Sequence, residues 1–326
     1  MRPNLLRLLL LLLASTPNSL IAQSDSIREL ERTCLRMTDD PRPANLESMQ
    51  PTMDRETGAR ASFLTGCRFI AEQKWGPAGK EFEKAVKAEP GVAVYHFWFG
   101  RATGEQIARA NPIRQPGLAR RVKGEFDRAA ALDSTYIAPH EGLLRYYLAA
   151  PSFLGGGVGR AREEADKIKA INAYRGGLAH ANVAFAAKDT AGLLAAHERL
   201  VAEYPDSSTS YFALLNVQLV RKQWAGAWSA VDRLERVKPD LPMLHYAVGR
   251  AAAESGEQLE RGETALHTYL LHEPKPDEPS HAAAHWRLGQ IAELRGDVTT
   301  ARQAYVTASA MDPKFKQAKE ALARVK

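Results

Sequence analysis

The stretch Phe63–Pro90, FLTGCRFIAEQKWGPAGKEFEKAVKAEP, decides the architecture. Gly66 stands one turn before Phe69, Ala78 opens a second helical stripe that Phe82 and Ala85 continue, and Pro90 ends the unit. Each residue type has a local reason. A small side chain belongs where two helix backbones of a hairpin approach, a large apolar one fills the space beside it, and proline lacks the N–H that would extend the second helix. The pattern returns at His285–Pro313, HWRLGQIAELRGDVTTARQAYVTASAMDP, with Leu288, Gly289, Ala292, Ala301, Tyr305, Ala308 and Pro313 at the matching positions. Between these copies, Gly100, Phe126 and Ala129 mark a second unit, and Tyr147, Ala161 and Ala165 a third. A fourth, ending at Pro205, is degenerate. Leu214, Ala227, Val231 and Pro239 mark a fifth, and Gly249, Leu266, Tyr269 and Pro274 a sixth. The spacing is close to ~34 residues, the period of a stacked helical hairpin.

No sustained two-residue alternation occurs between residues 59 and 326, so no sheet is expected. From about residue 59 to residue 313 the chain resembles the tetratricopeptide repeat (TPR) family, most specifically in the first and last units. The segment Tyr146–Gly157, YYLAAPSFLGGG, is similar to one in secreted bacterial members. The resemblance implies an all-α, right-handed superhelical solenoid of about seven helix-turn-helix repeats over residues 59–313. One continuous superhelix is expected, since repeat proteins grow by stacking and need no second core. In the terminal segment 314–326, Phe315, Ala318, Ala321, Leu322 and Val325 share one face, which predicts a C-terminal capping helix.

The N-terminus reads differently. MRPNLLRLLLLLLASTPNSLIAQ has a basic start at Arg2 and Arg7, an apolar core from Leu8 to Ala14 and a small-residue exit at Ala22. Residues 1–22 therefore read as a secretory signal peptide, with the mature chain starting at Gln23. The apolar run is shorter than the ~20 residues that span a bilayer, so no integral membrane anchor is expected after cleavage. Export to the periplasm or the extracellular space follows. Residues 23–58 then predict an N-terminal capping helix around SIRELERTCLRM and a proline-broken loop, TDDPRPANLESMQPTMDRETG.

The net charge of +6 includes the two arginines of the signal segment, and no three basic residues run together. Charges alternate along helix faces, as in KEFEKAVKAEP, so no nucleic-acid partner is expected. The two cysteines, Cys34 and Cys67, leave two readings open. In an oxidising compartment they can form a disulfide that joins the N-terminal segment to the first repeat, worth ~3–4 kcal/mol. Otherwise they are buried free thiols.

Two units carry extra residues at the turn inside the hairpin: residues 110–118, within ARANPIRQPGLARR (108–121), and residues 150–160, APSFLGGGVGR. Such turns emerge along one edge of a solenoid, which places the insertions side by side. Arg114, Phe153, Gly155, Gly156, Gly157 and Arg160 are the candidates on this edge for a small ligand or cell-envelope polymer. A glycine-rich turn entering a helix can hold an anion through free N–H groups. Here the Lys-Ser/Thr pair of a phosphate loop is missing, which favours a structural turn.

No motif supports catalysis or a cofactor, and the chain reads as a non-enzymatic protein. His281 and His285 lie one helical turn apart, but a zinc site wants three or four ligands, so no metal is expected. Aligned units give a sharper signal. At the fifth position of the first helices stand Phe63, Phe97, Glu141, Phe212, Tyr246 and Trp286. One turn later come Cys67, Arg101, Arg145, Asn216, Arg250 and Gln290. Residues four apart share a helix face, so these form two parallel stripes. In the resembled family this face is the concave groove, which implies another protein or an extended peptide as partner. The competing reading has the rings filling space between neighbouring first helices. The family's lysine-and-asparagine carboxylate clamp is not reproduced. Nothing in the residues sets an oligomeric state.

Overall fold

The computed structural model describes residues 17–325, so most of the proposed signal segment lies outside the described residues. Among the described residues there are seventeen α-helices and no strand. Two precede the repeats, α1 (Pro17–Asp39) and α2 (Pro43–Arg55). The repeats begin with α3 (Gly58–Ala71) and α4 (Trp75–Ala88), then α5 (Ala93–Ile107) and α6 (Gln115–Leu132), α7 (Ile137–Ala149) and α8 (Val158–Ile171), and α9 (Ala173–Ala186) and α10 (Thr190–Glu203). They continue with α11 (Ser208–Val220) and α12 (Trp224–Val237), α13 (Pro242–Ser255) and α14 (Leu259–Tyr269), and α15 (His281–Leu294) and α16 (Val298–Met311). The last helix is α17 (Lys316–Arg324). In chain order α3 to α16 make seven pairs, the repeat number read from the sequence. No described helix is long and apolar enough to cross a membrane.

The described chain divides into two compact units, one ending at Ala179 and the other starting at His180. The division falls inside α9. In the first unit, a Cβ placed on Gly66 would lie 2.6 Å from the Phe82 ring, and one on Gly100 would lie 2.8 Å from Phe126. Any larger residue would push the two helices of the hairpin apart. Phe126 is gripped from both sides, because Gly142 of α7 comes equally close to its far edge. The second unit repeats the device with Gly249 against Leu266 and Gly289 against Tyr305. Its main core runs from Val201 through Leu214, Leu234 and Leu266 to Ile291, and a smaller one joins Tyr305 to Ala321 of α17 and to Val325 just after that helix.

Five of the hairpins turn through a three-residue link, at 72–74, 187–189, 221–223, 256–258 and 295–297. Four of these have a left-handed residue at the second place, Gln73, Lys188, Lys222 and Gly296, and the fifth has left-handed Gly256 and Gln258 at its two ends. The two remaining hairpins carry the insertions, at 108–114 and 150–157.

Two expectations need correction. The segment expected as a loop before residue 58 contains a second helix, α2, because Pro43 sits in its first turn, where a missing N–H costs nothing, although Pro51 lies inside it. The fourth unit is degenerate only in its signature residues. Both of its helices have the ordinary length, and a close approach to the preceding repeat falls at Gly176, where a side chain would collide with the backbone of Lys169 in α8.

Candidate functional site

In the first unit the proposed inner stripe is largely spoken for. Phe63 is fully buried, 0% exposed, with its ring 5.6 Å from Phe82, 5.2 Å from Tyr95 and 6.2 Å from Trp98. It is a core residue and not a groove residue, and this corrects its assignment. Its neighbour one turn on, Cys67, is joined to Cys34 of α1, with the two Cα atoms 5.2 Å apart. α1 thus lies against the ninth position of the first repeat. From there it reaches further: the Glu31 carboxylate accepts hydrogen bonds from the Trp98 indole N–H at 3.2 Å and from the Tyr136 hydroxyl. Burial pushes the Glu31 carboxyl above its ordinary range, against the lowering effect of those two donors. Glu141 is also engaged, accepting from Nε and Nη2 of Arg175 at 2.8 and 2.6 Å.

Phe97, Arg101 and Arg145 take a different place. They line a cavity of about 990 Å³ between α5, α6 and α7, and its outer walls are the two insertions, through Pro112, Pro116, Phe153 and Leu154. Phe97 is 7% exposed and packs on Phe126 at 5.7 Å and Tyr136 at 5.4 Å, so only its edge faces the space. The Arg101 guanidinium lies 4.6 Å from the Trp98 ring centroid. Burial lowers its pKa, and repulsion from Arg145 lowers it further. The Tyr146 hydroxyl donates to the Leu154 carbonyl at 2.7 Å and so fixes the second insertion over the cavity.

The glycine turn does not offer an anion nest. The N–H groups of Gly155, Gly156 and Gly157 donate to the carbonyls of Ser152, Pro151 and Tyr147 at 2.8, 3.0 and 2.8 Å. Arg160 donates to the Gly155 carbonyl at 2.8 Å. The donors that an anion would need are already used, so Gly155, Gly156, Gly157 and Arg160 are a structural clamp. Gly156 has no room for a side chain because its Cβ would collide with the Ala150 carbonyl. Arg114 leaves the proposed edge as well, since it lines a separate cleft of about 340 Å³ with Trp75 and Gln106.

In the second unit the stripe residues stay accessible. Asn216 is exposed, and Phe212, Tyr246, Arg250, Trp286 and Gln290 are half-buried. Tyr246 lies 5.3 Å from Tyr269, and Trp286 lies 5.6 Å from Phe315. Arg250 and Arg287 share one carboxylate, Glu254, at 2.9 and 2.8 Å, and Arg287 also donates to Gln290 at 3.0 Å. Arg250 is the half-buried member of this pair and Arg287 the buried one.

Sequence reading missed a pair of buried bridges. His96 meets Glu125 at 2.6 Å, and His140 meets Glu164 at 2.7 Å, each linking the first helix of a repeat to the second. The signal was present: His96, His140, His245 and His285 all precede a fifth-position residue, and Glu125 and Glu164 both precede the large or small residue that packs in the second helix. Of the histidine pair at metal-like spacing, His281 meets the backbone carbonyl of His272 at 2.8 Å.

No protein-family model and no curated protein matches the sequence. Solved structures do. A tetratricopeptide repeat protein from Parabacteroides merdae is similar at 12% identity and a TM-score of 0.50, over 81% of this chain and 97% of that one. Yeast Tom70 is similar at 12% identity and a TM-score of 0.54, over 84% of this chain and 57% of that one. Taken with seven successive helix pairs, small residues at close approaches and recurring three-residue links, these likenesses establish that the chain has the tetratricopeptide-repeat fold.

Proposed function

We propose that the protein is a non-enzymatic, exported scaffold that binds another protein or an extended peptide along the inner stripe of its second unit. The observation that supports this reading is the accessibility of Asn216, Tyr246, Arg250 and Trp286 at matched positions of successive repeats, beside two arginines that share one carboxylate. Rings offer apolar contact at small entropic cost, and guanidinium groups pair with carboxylates or carbonyls of a bound chain. A stacked array needs little ordering when it binds. Export is supported by the signal-like N-terminus, and a disulfide suits an oxidising compartment.

The test is a photo-cross-linking residue placed at Asn216 or Arg250, with a control at exposed Arg236 on the second helix of a repeat, in cells that export the protein. Adducts with a defined partner should form at the first two positions only. They should fall at least about tenfold in a Tyr246→Ala/Trp286→Ala variant of unchanged helicity. Equal adducts at all three positions would remove the groove from this reading.

A further inference from the structure

The cavity of the first unit has no role in binding along the second, and its construction points to a different kind of ligand. It exists because two hairpins abandon the three-residue link used by the other five, so residues 108–114 and 150–157 rise as facing walls. Its volume of about 990 Å³ lies at the upper end of the range usual for sites that enclose a drug-sized molecule. The body of the space is apolar, formed by Val122, Phe126, Tyr146 and Leu154. Phe153, on the second insertion, lines the cavity and is 73% exposed, so part of the rim is apolar too.

Charge supplies the rest of the argument. Arg101 and Arg145 stand on adjacent first helices and repel each other, and among the described residues neither has a carboxylate within ion-pairing distance. Arg60, partly buried like Arg101, is by contrast paired one to one with Glu56. Glu105 is the one acidic residue lining the cavity, and it is exposed, while Asp39 of α1 acts on Arg101 from a distance. Two cations, one partly desolvated, therefore face an apolar space with a single exposed counter-charge. Guanidinium groups in this setting favour a carboxylate, which accepts two N–H bonds at once.

We propose that this cavity binds a small amphipathic carboxylic acid, its carboxylate between Arg101 and Arg145 and its hydrocarbon body against Phe126, Tyr146 and Leu154. A free acid fits better than an extended peptide because the inner face beside the cavity is closed. α1 is tied to Cys67 there and is bonded through Glu31 to Trp98 and Tyr136, so the ground beside Phe97 is already covered by this chain itself.

Isothermal titration of the disulfide-intact protein tests this with three probes: dodecanoate below its micelle concentration, methyl dodecanoate, and an end-blocked peptide of alternating Leu and Glu. Dodecanoate should bind one to one. Its affinity should fall about tenfold or more in Arg101→Gln/Arg145→Gln, in keeping with loss of charge-assisted hydrogen bonds. The methyl ester should bind wild type no more tightly than the acid binds that variant. Arg145→Gln alone, at an exposed position that leaves the fold intact, should show part of the loss, and Ala149→Trp should remove binding by filling the space. Equal affinity for acid and ester, wild-type affinity in the arginine variants, or binding of the peptide alone would overturn the proposal. None of these results bears on the partner-binding stripe of the second unit, which shares no residue with this site.

Discussion

Gly66, Gly100, Gly249 and Gly289 are small for one reason: each faces a Phe, Leu or Tyr from the partner helix that takes up the whole gap. The hairpin links obey a second local rule with less consistency. Gly296 adopts φ of 78° without strain, but Lys222 holds φ of 55° in the equivalent link, and an L side chain there crowds its own backbone. Lys222 is exposed, so removing its side chain loses no burial. Lys222→Gly should therefore stabilise the protein by about 0.5–1 kcal/mol in urea unfolding, the net of relieved strain and a freer unfolded chain. Gly296→Lys should shift the midpoint the other way. The glycine positions were legible in sequence because packing demanded them. Lys222 was not, because nothing about a lysine signals a left-handed backbone.

At the scale of elements, the N-terminal helix changes most between expectation and structure. Its apolar face, Leu30, Cys34 and Met37, is buried, and its one interior carboxylate, Glu31, satisfies two ring donors from α5 and the start of α7. It is a fixed part of the first unit, held by a disulfide that spans 33 residues. Replacing both cysteines with serine should cost about 3–4 kcal/mol in the first unit, the loop entropy returned to the unfolded chain. Hydrogen exchange would localise the effect. Amides of α1 and α3 should exchange faster while those of α13 to α16 keep their protection, and uniform acceleration across both units would contradict it. The insertions are the other case. Their location in the hairpin turns could be read from Pro112, Pro116 and Gly155, but the cavity depends on Tyr146 bonding Leu154, a contact between residues with no sequence pattern to announce it.

For the molecule as a whole, acid should weaken the fold before it affects the repeat pattern. His197 in α10 is buried, and desolvation holds its imidazole below the usual value of 6.5. The unfolded chain then binds a proton that the folded one refuses, so stability is complete above pH 6.5 and declines as pH falls below it. Glu164 acts in the same direction lower down. Burial works to raise its carboxyl, but hydrogen bonds from His140 and Lys167 outweigh this and keep it below 4.5, so its contribution is lost as pH falls through that depressed value. Urea midpoints at pH 7.5 and 5.5 should differ less in His197→Gln than in wild type, and an unchanged difference would assign the acid sensitivity elsewhere. The sequence alone determined the helical class, the number of pairs and the place of the insertions, because these follow from periodicity and from residues whose size or backbone is constrained locally. Only the tertiary structure decided that Phe63 is core, that α1 is fastened to Cys67 and Trp98 of the first two repeats, and that Arg101 and Arg145 share one cavity. Those outcomes depend on which distant side chains meet, and a one-dimensional pattern carries the face a residue occupies but not the neighbour that covers it.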